Sequence, residues 1–217
     1  DRQTGIENLI SAINPDVILL DDAFQHRKVK ASFYILLTAY DDLFSDDYIL
    51  PFGNLRESAI GKNRANLVIV TKCPAALSDQ EQEQVKQKLD VNVPIFFTAI
   101  DYDTEVFSAE KSINVSDVIS KEKVIVAGIA KPKYFIDYLN SGKDIILIYP
   151  DHHNFSEQEI SELNTFAQDE IIVTTEKDFM RLNGKIKPEN LFYLPIKSKF
   201  LNSETEFQTL ITKIIKP

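Results

Sequence analysis

The sequence predicts an α/β fold with mostly parallel sheets, on three observations. Short β-branched runs recur along the 217 residues, and most are apolar throughout, as is typical of parallel strands covered by helices on both sides. Amphipathic stretches separate several of these runs, and such alternation favours right-handed strand–helix–strand crossovers. With 44% hydrophobic and 26% charged residues, the composition is that of a globular protein, long enough for one large domain or two small ones.

The elements follow from these patterns. The predicted strands are residues 17–20, 34–38, 67–71, 95–98, 124–127, 145–149, 171–174 and 191–194. The predicted helices are residues 4–13, 78–89, 133–139, 156–166 and 204–215. Ser78 and Ser156 are each followed three residues later by Glu, which is the spacing of a capping box at a helix start. The pattern loosens over residues 44–64, and a long irregular segment is usually functional or a linker. It loosens again over residues 101–122, which is a candidate domain boundary.

Charge and cysteine content exclude several classes of protein. There are 24 Lys and Arg against 33 Asp and Glu, so neither a nucleic acid nor an anionic lipid surface is expected as an electrostatically attracted partner. Cys73 is the single cysteine, which excludes an internal disulfide and makes a reducing compartment the default. No apolar run approaches the roughly 20 residues of a membrane-spanning helix, and from the polar start no signal peptide is expected.

The first candidate site is the apolar run 17–20 followed by Asp21 and Asp22. This pattern resembles a Walker B strand, which holds carboxylates at the edge where α/β sheets bind ligands. One carboxylate can hold Mg²⁺ while the other accepts a proton from the attacking hydroxyl. The alternative is a pair of solvated acids at a turn.

A Walker B strand requires a phosphate loop, Gly-x-x-x-x-Gly-Lys-Ser/Thr. None of the three Gly-Lys pairs, at Gly61, Gly142 and Gly184, has the earlier Gly or the following Ser/Thr. Either the nucleotide interpretation is wrong or the loop precedes Asp1. The start at Asp rather than Met favours the second option, a chain cut from a longer protein.

The second candidate is Asp151-His152-His153, directly after strand 145–149. An imidazole beside a carboxylate is a natural proton relay. A metal site of the Asp-His-His phosphoesterase type is an alternative, although three histidines in total undersupply two metals. A surface loop before a capped helix is a further alternative.

The third candidate is the turn after strand 171–174, where hydroxyl, acidic and basic side chains follow one another. These residues are Thr174, Thr175, Glu176, Lys177 and Asp178. The composition suits either ligand binding or an internal polar network.

Taken in order, five segments resemble the signature blocks of the tetraacyldisaccharide 4′-kinases, the lipid A kinases of Gram-negative bacteria. The segments are residues 21–27 (DDAFQHR), 50–57 (LPFGNLRE), 127–132 (AGIAKP), 151–153 (DHH) and 174–178 (TTEKD). Each block alone is a weak signal, and it is their common order, over residues 1–194, that carries the resemblance.

The resemblance implies a P-loop NTPase-like kinase of two three-layer α/β/α lobes, expected here over residues 1–105 and 106–217. It implies transfer of phosphate from ATP, with Mg²⁺, to the 4′-hydroxyl of a tetraacyl disaccharide 1-phosphate in lipid A biosynthesis. Such an enzyme is peripheral at the cytoplasmic face of the inner membrane, which it contacts through an N-terminal segment. The chain itself is expected to be a soluble fragment that binds no nucleic acid and, without its phosphate loop, is inactive.

The resemblance also implies roles for individual residues. Asp21 would be the catalytic base, assisted by His152, and Asp22 would lie at the metal. Ala23 stands where the family usually has Gly, so if this position requires a positive φ, either Ala strains the turn or the turn differs. Further residues expected at the site are Arg56, Gln25 and His26 for substrate binding and, without an assigned role, Thr175, Glu176, Lys177 and Asp178.

Two other functions stay open on the sequence alone. One is a metal-dependent phosphoesterase that uses Asp21, Asp22, Asp151 and His152. The other is a non-catalytic α/β ligand-binding module whose acidic clusters only cap loops.

Overall fold

A computed structural model describes residues 1–215 and forms two compact units. The first consists of Asp1–Ile100 with residues 198–215, and the second of Asp101–Lys197. The strands are β1 Ile35–Ala39, β2 Leu67–Cys73, β3 Ile95–Tyr102, β4 Glu105–Phe107, β5 Ser112–Asn114, β6 Val124–Ala127, β7 Ile145–Ile148, β8 Ile172–Thr175, β9 Leu191–Leu194 and β10 Ile196–Phe200. The α-helices are α1 Arg2–Ile13, α2 Asp79–Leu89, α3 Val115–Ile119, α4 Lys133–Leu139, α5 Glu157–Phe166, α6 Glu176–Leu182 and α7 Glu204–Ile215, and a 3₁₀ helix spans Ala59–Arg64.

The first unit contains a four-stranded sheet in the order β1-β2-β3-β10, with β1, β2 and β3 parallel. Val68 and Val70 of β2 are buried against Leu89 of α2. Helix α2 begins with the predicted capping box, in which the Ser78 hydroxyl accepts from the Glu81 N–H and the Glu81 carboxylate accepts from the Ser78 N–H. Such a cap stabilises a helix start by about 1 kcal/mol.

The second unit is a three-layer α/β/α structure. Its sheet has the order β5-β4-β9-β8-β6-β7, in which the β9-β8-β6-β7 neighbours are parallel and β4 is antiparallel to β9. Because side chains alternate between the faces of a strand, Ile125 and Ala127 pack with residues of α3 and α4 on one face. Val124 and Val126 pack with residues of α5 and α6 on the other. Burial on both faces is why β6 is apolar throughout.

The predicted α/β class with mostly parallel strands is confirmed, and all predicted helices and all predicted strands but one are present. The prediction of a strand at residues 17–20 is wrong. The segment pairs with no strand among residues 1–215, and the Leu19 side chain is 90% exposed. The prediction of an irregular segment over 101–122 also needs correction, because a short hairpin, β4–β5, and helix α3 lie there.

The two units differ from the predicted division after residue 105. The first unit ends at Ile100, and the chain returns to it for residues 198–215. Helix α7 belongs to the first unit because its Phe207 ring packs on Phe96 of β3, with 5.3 Å between the ring centroids. None of the helices within residues 1–215 is long and apolar enough to span a bilayer.

Candidate functional site

The turn that carries the paired acids is held by contacts to Asp22. Arg56 Nη1 lies 2.7 Å from Asp22 Oδ2, and Gln25 Nε2 lies 3.3 Å from the Asp22 carbonyl oxygen. Arg2 donates to the same carbonyl oxygen over 3.2 Å. Asp22 has a left-handed backbone with φ 45°, a conformation that Asp and Asn tolerate better than most residues. The structure therefore brings Asp22, Gln25 and Arg56 together.

The two acids differ in their surroundings. The hydrogen bond and charge of Arg56 lower the pKa of Asp22 below its ordinary value, so Asp22 is a carboxylate at neutral pH. Asp21 is exposed, and its side chain has no hydrogen bond or ion pair within residues 1–215. His26 is also exposed and is fixed only through its backbone N–H, which donates to the Ala23 carbonyl oxygen. Asp21 thus keeps both carboxylate oxygens free to accept a proton.

The block 50–57 is tied to the acid turn by a second ion-pair cluster centred on Glu57. Its carboxylate accepts from Arg27 over 3.2 Å and from Arg64. Arg64 also donates to the Phe24 carbonyl oxygen over 2.9 Å and lies over the Phe24 ring. Burial acts to raise the pKa of Glu57, but the hydrogen bonds from these two guanidinium groups outweigh it and lower the pKa. Arg27 and Arg64 were not predicted as site residues.

Two small residues in these blocks have clear structural reasons. A Cβ built on Gly53 would lie 2.6 Å from the backbone nitrogen of Tyr48, so the turn has no room for a side chain. Ala23 is not among the residues with positive φ, and Asp22 before it is. Ala23 is therefore not strained, because the left-handed position of the turn falls one residue earlier, at Asp22.

In the second unit, three sequence blocks meet at the edge of the sheet formed by the C-terminal ends of its parallel strands. Strands β8, β6 and β7 are parallel neighbours, so the residues that follow each of them lie at this same edge. These are Gly128 after β6, residues 151–153 after β7 and the first turn of α6 after β8.

Asp178 is the centre of an internal polar network at this edge. Its side chain is fully buried and accepts from the Gly128 N–H over 2.8 Å and from the Thr175 hydroxyl over 2.7 Å. Arg181 Nη1 is 3.1 Å from Asp178 Oδ1. A Cβ on Gly128 would come within 2.9 Å of that same oxygen. Of the two interpretations of this turn, the contacts of Thr175 and Asp178 favour the internal network.

Residues 151 and 152 lie at the exposed end of this network. Lys177 Nζ is 2.7 Å from Asp151 Oδ1, and this contact lowers the pKa of Asp151. His152 has a left-handed backbone, φ 61°, and its side chain is 74% exposed. Arg181 Nη2 lies 3.4 Å from His152 Nδ1. Glu176 is exposed on the same turn.

His153 has different surroundings from His152. Its Nε2 is 3.0 Å from Glu159 Oε1, and its ring stacks on Tyr149. Glu159 also forms the predicted capping box with Ser156 at the start of α5. The backbone and side-chain hydrogen bonds of Ser156, with that of His153, lower the pKa of Glu159 to about 2. His153 therefore serves the start of α5, and His152 is the imidazole that faces solvent.

The predicted site residues thus form two groups, each described within its own unit. Within residues 1–215, no group of three or more His, Cys, Asp or Glu side chains is arranged to hold a metal ion. The residues missed by sequence reasoning are cations: Arg2, Arg27, Arg64 and Arg181. Two of them had a local signal: Arg27 ends the block 21–27, and Arg181 lies three residues after Asp178, the spacing of a helical ion pair.

Comparison with known proteins gives consistent results. The family model described as tetraacyldisaccharide-1-P 4′-kinase, LpxK, matches residues 1–216. A tetraacyldisaccharide 4′-kinase of Flavobacterium psychrophilum is 52% identical over 221 residues, and one of Flavobacterium johnsoniae is 50% identical over 219. Each alignment covers the whole chain and 64% of the relative, so the chain spans less than two thirds of their length.

A solved structure shows the same fold. The crystal structure of LpxK from Aquifex aeolicus in complex with ATP matches with a TM-score of 0.71 at 27% identity. The match covers 99% of this chain and 62% of that one. The likeness supports the predicted P-loop NTPase-like α/β class.

Proposed function

The chain belongs to the tetraacyldisaccharide-1-P 4′-kinase family, and from this premise we propose that it is part of a lipid kinase. The reaction is transfer of the γ-phosphate of ATP to the 4′-hydroxyl of a tetraacyl disaccharide 1-phosphate, a step of lipid A biosynthesis. The observation that carries the proposal is the acid turn, where Arg56 fixes an ionised Asp22 while the adjacent Asp21 stays unpaired within residues 1–215. The names of both Flavobacterium relatives and the ATP in the Aquifex structure support it.

Asp21 is the proposed catalytic base. Phosphoryl transfer to a hydroxyl requires a group that accepts the hydroxyl proton, and an Asp serves this role in kinases. The exposed Asp21 carboxylate meets this requirement, whereas one oxygen of Asp22 already accepts a hydrogen bond from Arg56. The two acids therefore have different proposed roles: Asp21 accepts the proton, and Asp22 stays negatively charged.

Asp22 is the proposed protein ligand of Mg²⁺. This ion is usually bound through one or two carboxylates together with phosphate oxygens, so a single carboxylate fits. The Oδ1 atom of Asp22 has only a long contact of 3.5 Å, to Gln25, and remains accessible. When bound, the ion would neutralise charge on the phosphates of ATP.

Arg56, Gln25 and His26 are the proposed substrate-binding residues. Arg56 is 60% exposed and uses one guanidinium nitrogen on Asp22, so its other N–H groups remain for phosphate oxygens. Gln25 and His26 extend from the same turn. His152, in the second unit, is the proposed second catalytic residue, and its assistance to Asp21 is part of the proposal.

The location and partners follow from the same proposal. The substrate is a lipid disaccharide, and the enzyme is proposed to act as a peripheral protein at the cytoplasmic face of the inner membrane. The net charge of −9 repels an anionic leaflet, so the membrane contact is assigned to a segment outside this sequence. The phosphate loop is assigned there too, since no Gly-x-x-x-x-Gly-Lys-Ser/Thr occurs in the 217 residues.

The test compares this chain with the longer protein encoded by its parent gene. Transfer of labelled γ-phosphate to the tetraacyl disaccharide 1-phosphate is expected from the longer protein and not from the 217 residues alone. Asp21→Asn should lower kcat by about 10²–10⁴-fold, the usual contribution of a general base. Asp16→Asn, a matched exposed acid five residues earlier, should leave kcat unchanged. An Asp21→Asn enzyme with normal kcat would refute the assignment.

A second cycle tests the role of His152. Asn is the suitable replacement, since it tolerates the left-handed backbone at this position. If His152 and Asp21 act on the same proton transfer, the double variant should lose little more activity than either single variant. Multiplicative losses would separate their roles.

A further inference from the structure

The proposed chemistry gives no role to the blocks 127–132 and 174–178. Residues of both blocks are connected to His152 by hydrogen bonds through the guanidinium group of Arg181. Arg181 of α6 donates from Nη1 to Asp178 and from Nη2 to His152 Nδ1. We propose that Arg181 is a positioning residue, which holds His152 with Nδ1 as the hydrogen-bond acceptor and Nε2 as the N–H donor.

The anchor of this arrangement is rigid because Asp178 is buried and fully engaged. One carboxylate oxygen accepts from the Gly128 N–H and the Thr175 hydroxyl, and the other accepts from Arg181. Gly128 lacks a side chain at the one place where a Cβ would contact that second oxygen. Gly128 and Thr175 thus hold the Asp178 carboxylate, which in turn holds the guanidinium group of Arg181.

The chemistry of the guanidinium group decides the imidazole tautomer. Arg has five N–H donors, no acceptor, and stays protonated in proteins. A contact between Arg181 and His152 Nδ1 is therefore a hydrogen bond only if Nδ1 carries no proton. The neutral ring then carries its proton on Nε2.

The other neighbour of the ring favours the same tautomer. His152 Nε2 lies 3.9 Å from Asp151 Oδ2, and Asp151 is held in place by Lys177. A carboxylate stabilises an N–H on the nitrogen that faces it, and a guanidinium stabilises a lone pair. The Lys177–Asp151 pair and the Asp178–Arg181 pair thus act on opposite sides of one imidazole.

This arrangement specifies what His152 contributes. A ring with Nδ1 occupied by Arg181 and a proton on Nε2 acts as a hydrogen-bond donor to an oxygen that carries negative charge. It is not set up as the group that removes the hydroxyl proton. This step of the inference rests on the proposed function, whereas the tautomer itself does not.

The tautomer can be measured on the 217-residue chain, which contains only three histidines. With ¹⁵N-labelled histidine, long-range ¹H–¹⁵N spectra distinguish protonated from unprotonated ring nitrogens, and His152→Asn identifies the His152 signals. The wild type should show an unprotonated Nδ1 and a protonated Nε2. Arg181→Met should introduce the Nδ1–H tautomer, and Arg181→Lys should restore the original state in part. Lys187→Met, which removes an exposed charge from a nearby loop, should change nothing.

Two outcomes would overturn the proposal: a protonated Nδ1 in the wild type, or an unchanged tautomer in Arg181→Met. If Arg181→Met does not fold because Asp178 is left buried without its cation, the variant Asp178→Asn/Arg181→Met removes the buried charge as well. An unchanged tautomer in that double variant also overturns it.

Kinetics of the longer protein then separate this inference from the proposed function. Arg181→Met should lower kcat by the same factor as His152→Asn with KM unchanged, and the two together should cause no further loss. An altered tautomer with normal kcat would refute the catalytic step and leave the positioning contact. Absence of kinase activity in the wild type would refute the proposed function instead, since the spectra do not depend on it.

Discussion

Lys123 and Asp144 form a fully buried ion pair that joins the starts of β6 and β7. Lys123 Nζ lies 3.0 and 3.1 Å from the two oxygens of Asp144 and 3.2 Å from the Lys121 carbonyl oxygen. Neither side chain has any exposed surface. Asp144 also accepts from the Ser141 N–H and hydroxyl. Since neither side chain is exposed to solvent, Lys123→Met leaves a carboxylate buried without its counter-charge.

The expected loss of unfolding free energy for Lys123→Met is about 3–5 kcal/mol, the usual cost of breaking a buried pair on one side. That is a large part of the roughly 5–15 kcal/mol that stabilises a domain. The double variant Lys123→Met/Asp144→Asn should recover part of the loss, because the amide is neutral and can still accept from Ser141. Lys143→Met, which removes the exposed partner of Glu122 at 4.0 Å, should change stability by less than about 0.5 kcal/mol.

The assay is urea denaturation followed by circular dichroism, since the chain has no Trp. Amide hydrogen exchange at Val124–Ala127 would show whether the loss is centred on β6. A loss below about 1 kcal/mol, or one equal to that of Lys143→Met, would refute the reasoning.

The pH dependence gives an independent check of the same pair. Burial acts to raise the pKa of Asp144, but the Ser141 hydrogen bonds and the Lys123 ammonium outweigh it and lower the pKa below 3.8. A carboxyl whose folded pKa is lowered stabilises the protein above its unfolded pKa, and the effect is lost as pH falls through the folded value. In Lys123→Met the unpaired buried carboxyl takes up a proton more readily, because burial then raises its pKa. The difference in stability between wild type and Lys123→Met should therefore be largest at neutral pH and shrink as the pH falls toward the folded pKa of wild-type Asp144.

Two further predictions concern small side chains. Burial raises the pKa of the Cys73 thiol to about 11, so a disulfide-exchange reagent at mildly alkaline pH should label native protein far more slowly than unfolded protein. Equal labelling rates would contradict the buried position. Gly128→Ala should lower the unfolding free energy by about 1–3 kcal/mol, because its Cβ would lie 2.9 Å from Asp178 Oδ1. Gly5→Ala, in the open interior of α1, should instead raise it by about 0.5–1 kcal/mol; a matching loss at both glycines would refute the contact argument.

The sequence predicted correctly those strands and helices that are determined by residues close together in the chain. Strands β6, β8 and β9 lie inside the sheet and are largely buried, so a short apolar run is enough to identify them. The two capping boxes need only a Ser and a Glu at fixed spacing, and both formed. Helix α7 was predicted with the right bounds but in the wrong unit, since the contact of Phe207 with Phe96 links residues 111 positions apart.

The difference between local and long-range contacts also explains which features of the candidate site were predicted. The blocks 21–27 and 50–57 were predicted as motifs, yet the contacts between them depend on pairs that no local spacing reveals. Arg27 and Glu57 are 30 residues apart, and Arg64 reaches back 40 residues to Phe24. Several Arg residues near an acidic block could each have been its partner. Only the fold selects among them.

The failed strand at residues 17–20 shows what an apolar run does not specify. A strand needs a neighbour for its backbone N–H and C=O groups, and the run predicts only that its side chains suit burial. Val17 and Leu19 are exposed, and so are Ile35 and Leu37 of β1, the edge strand of the first sheet. Exposed apolar side chains that lie together mark interaction surfaces. In the proposed longer kinase, a strand leading into the phosphate loop would supply both a backbone partner and a cover for these side chains.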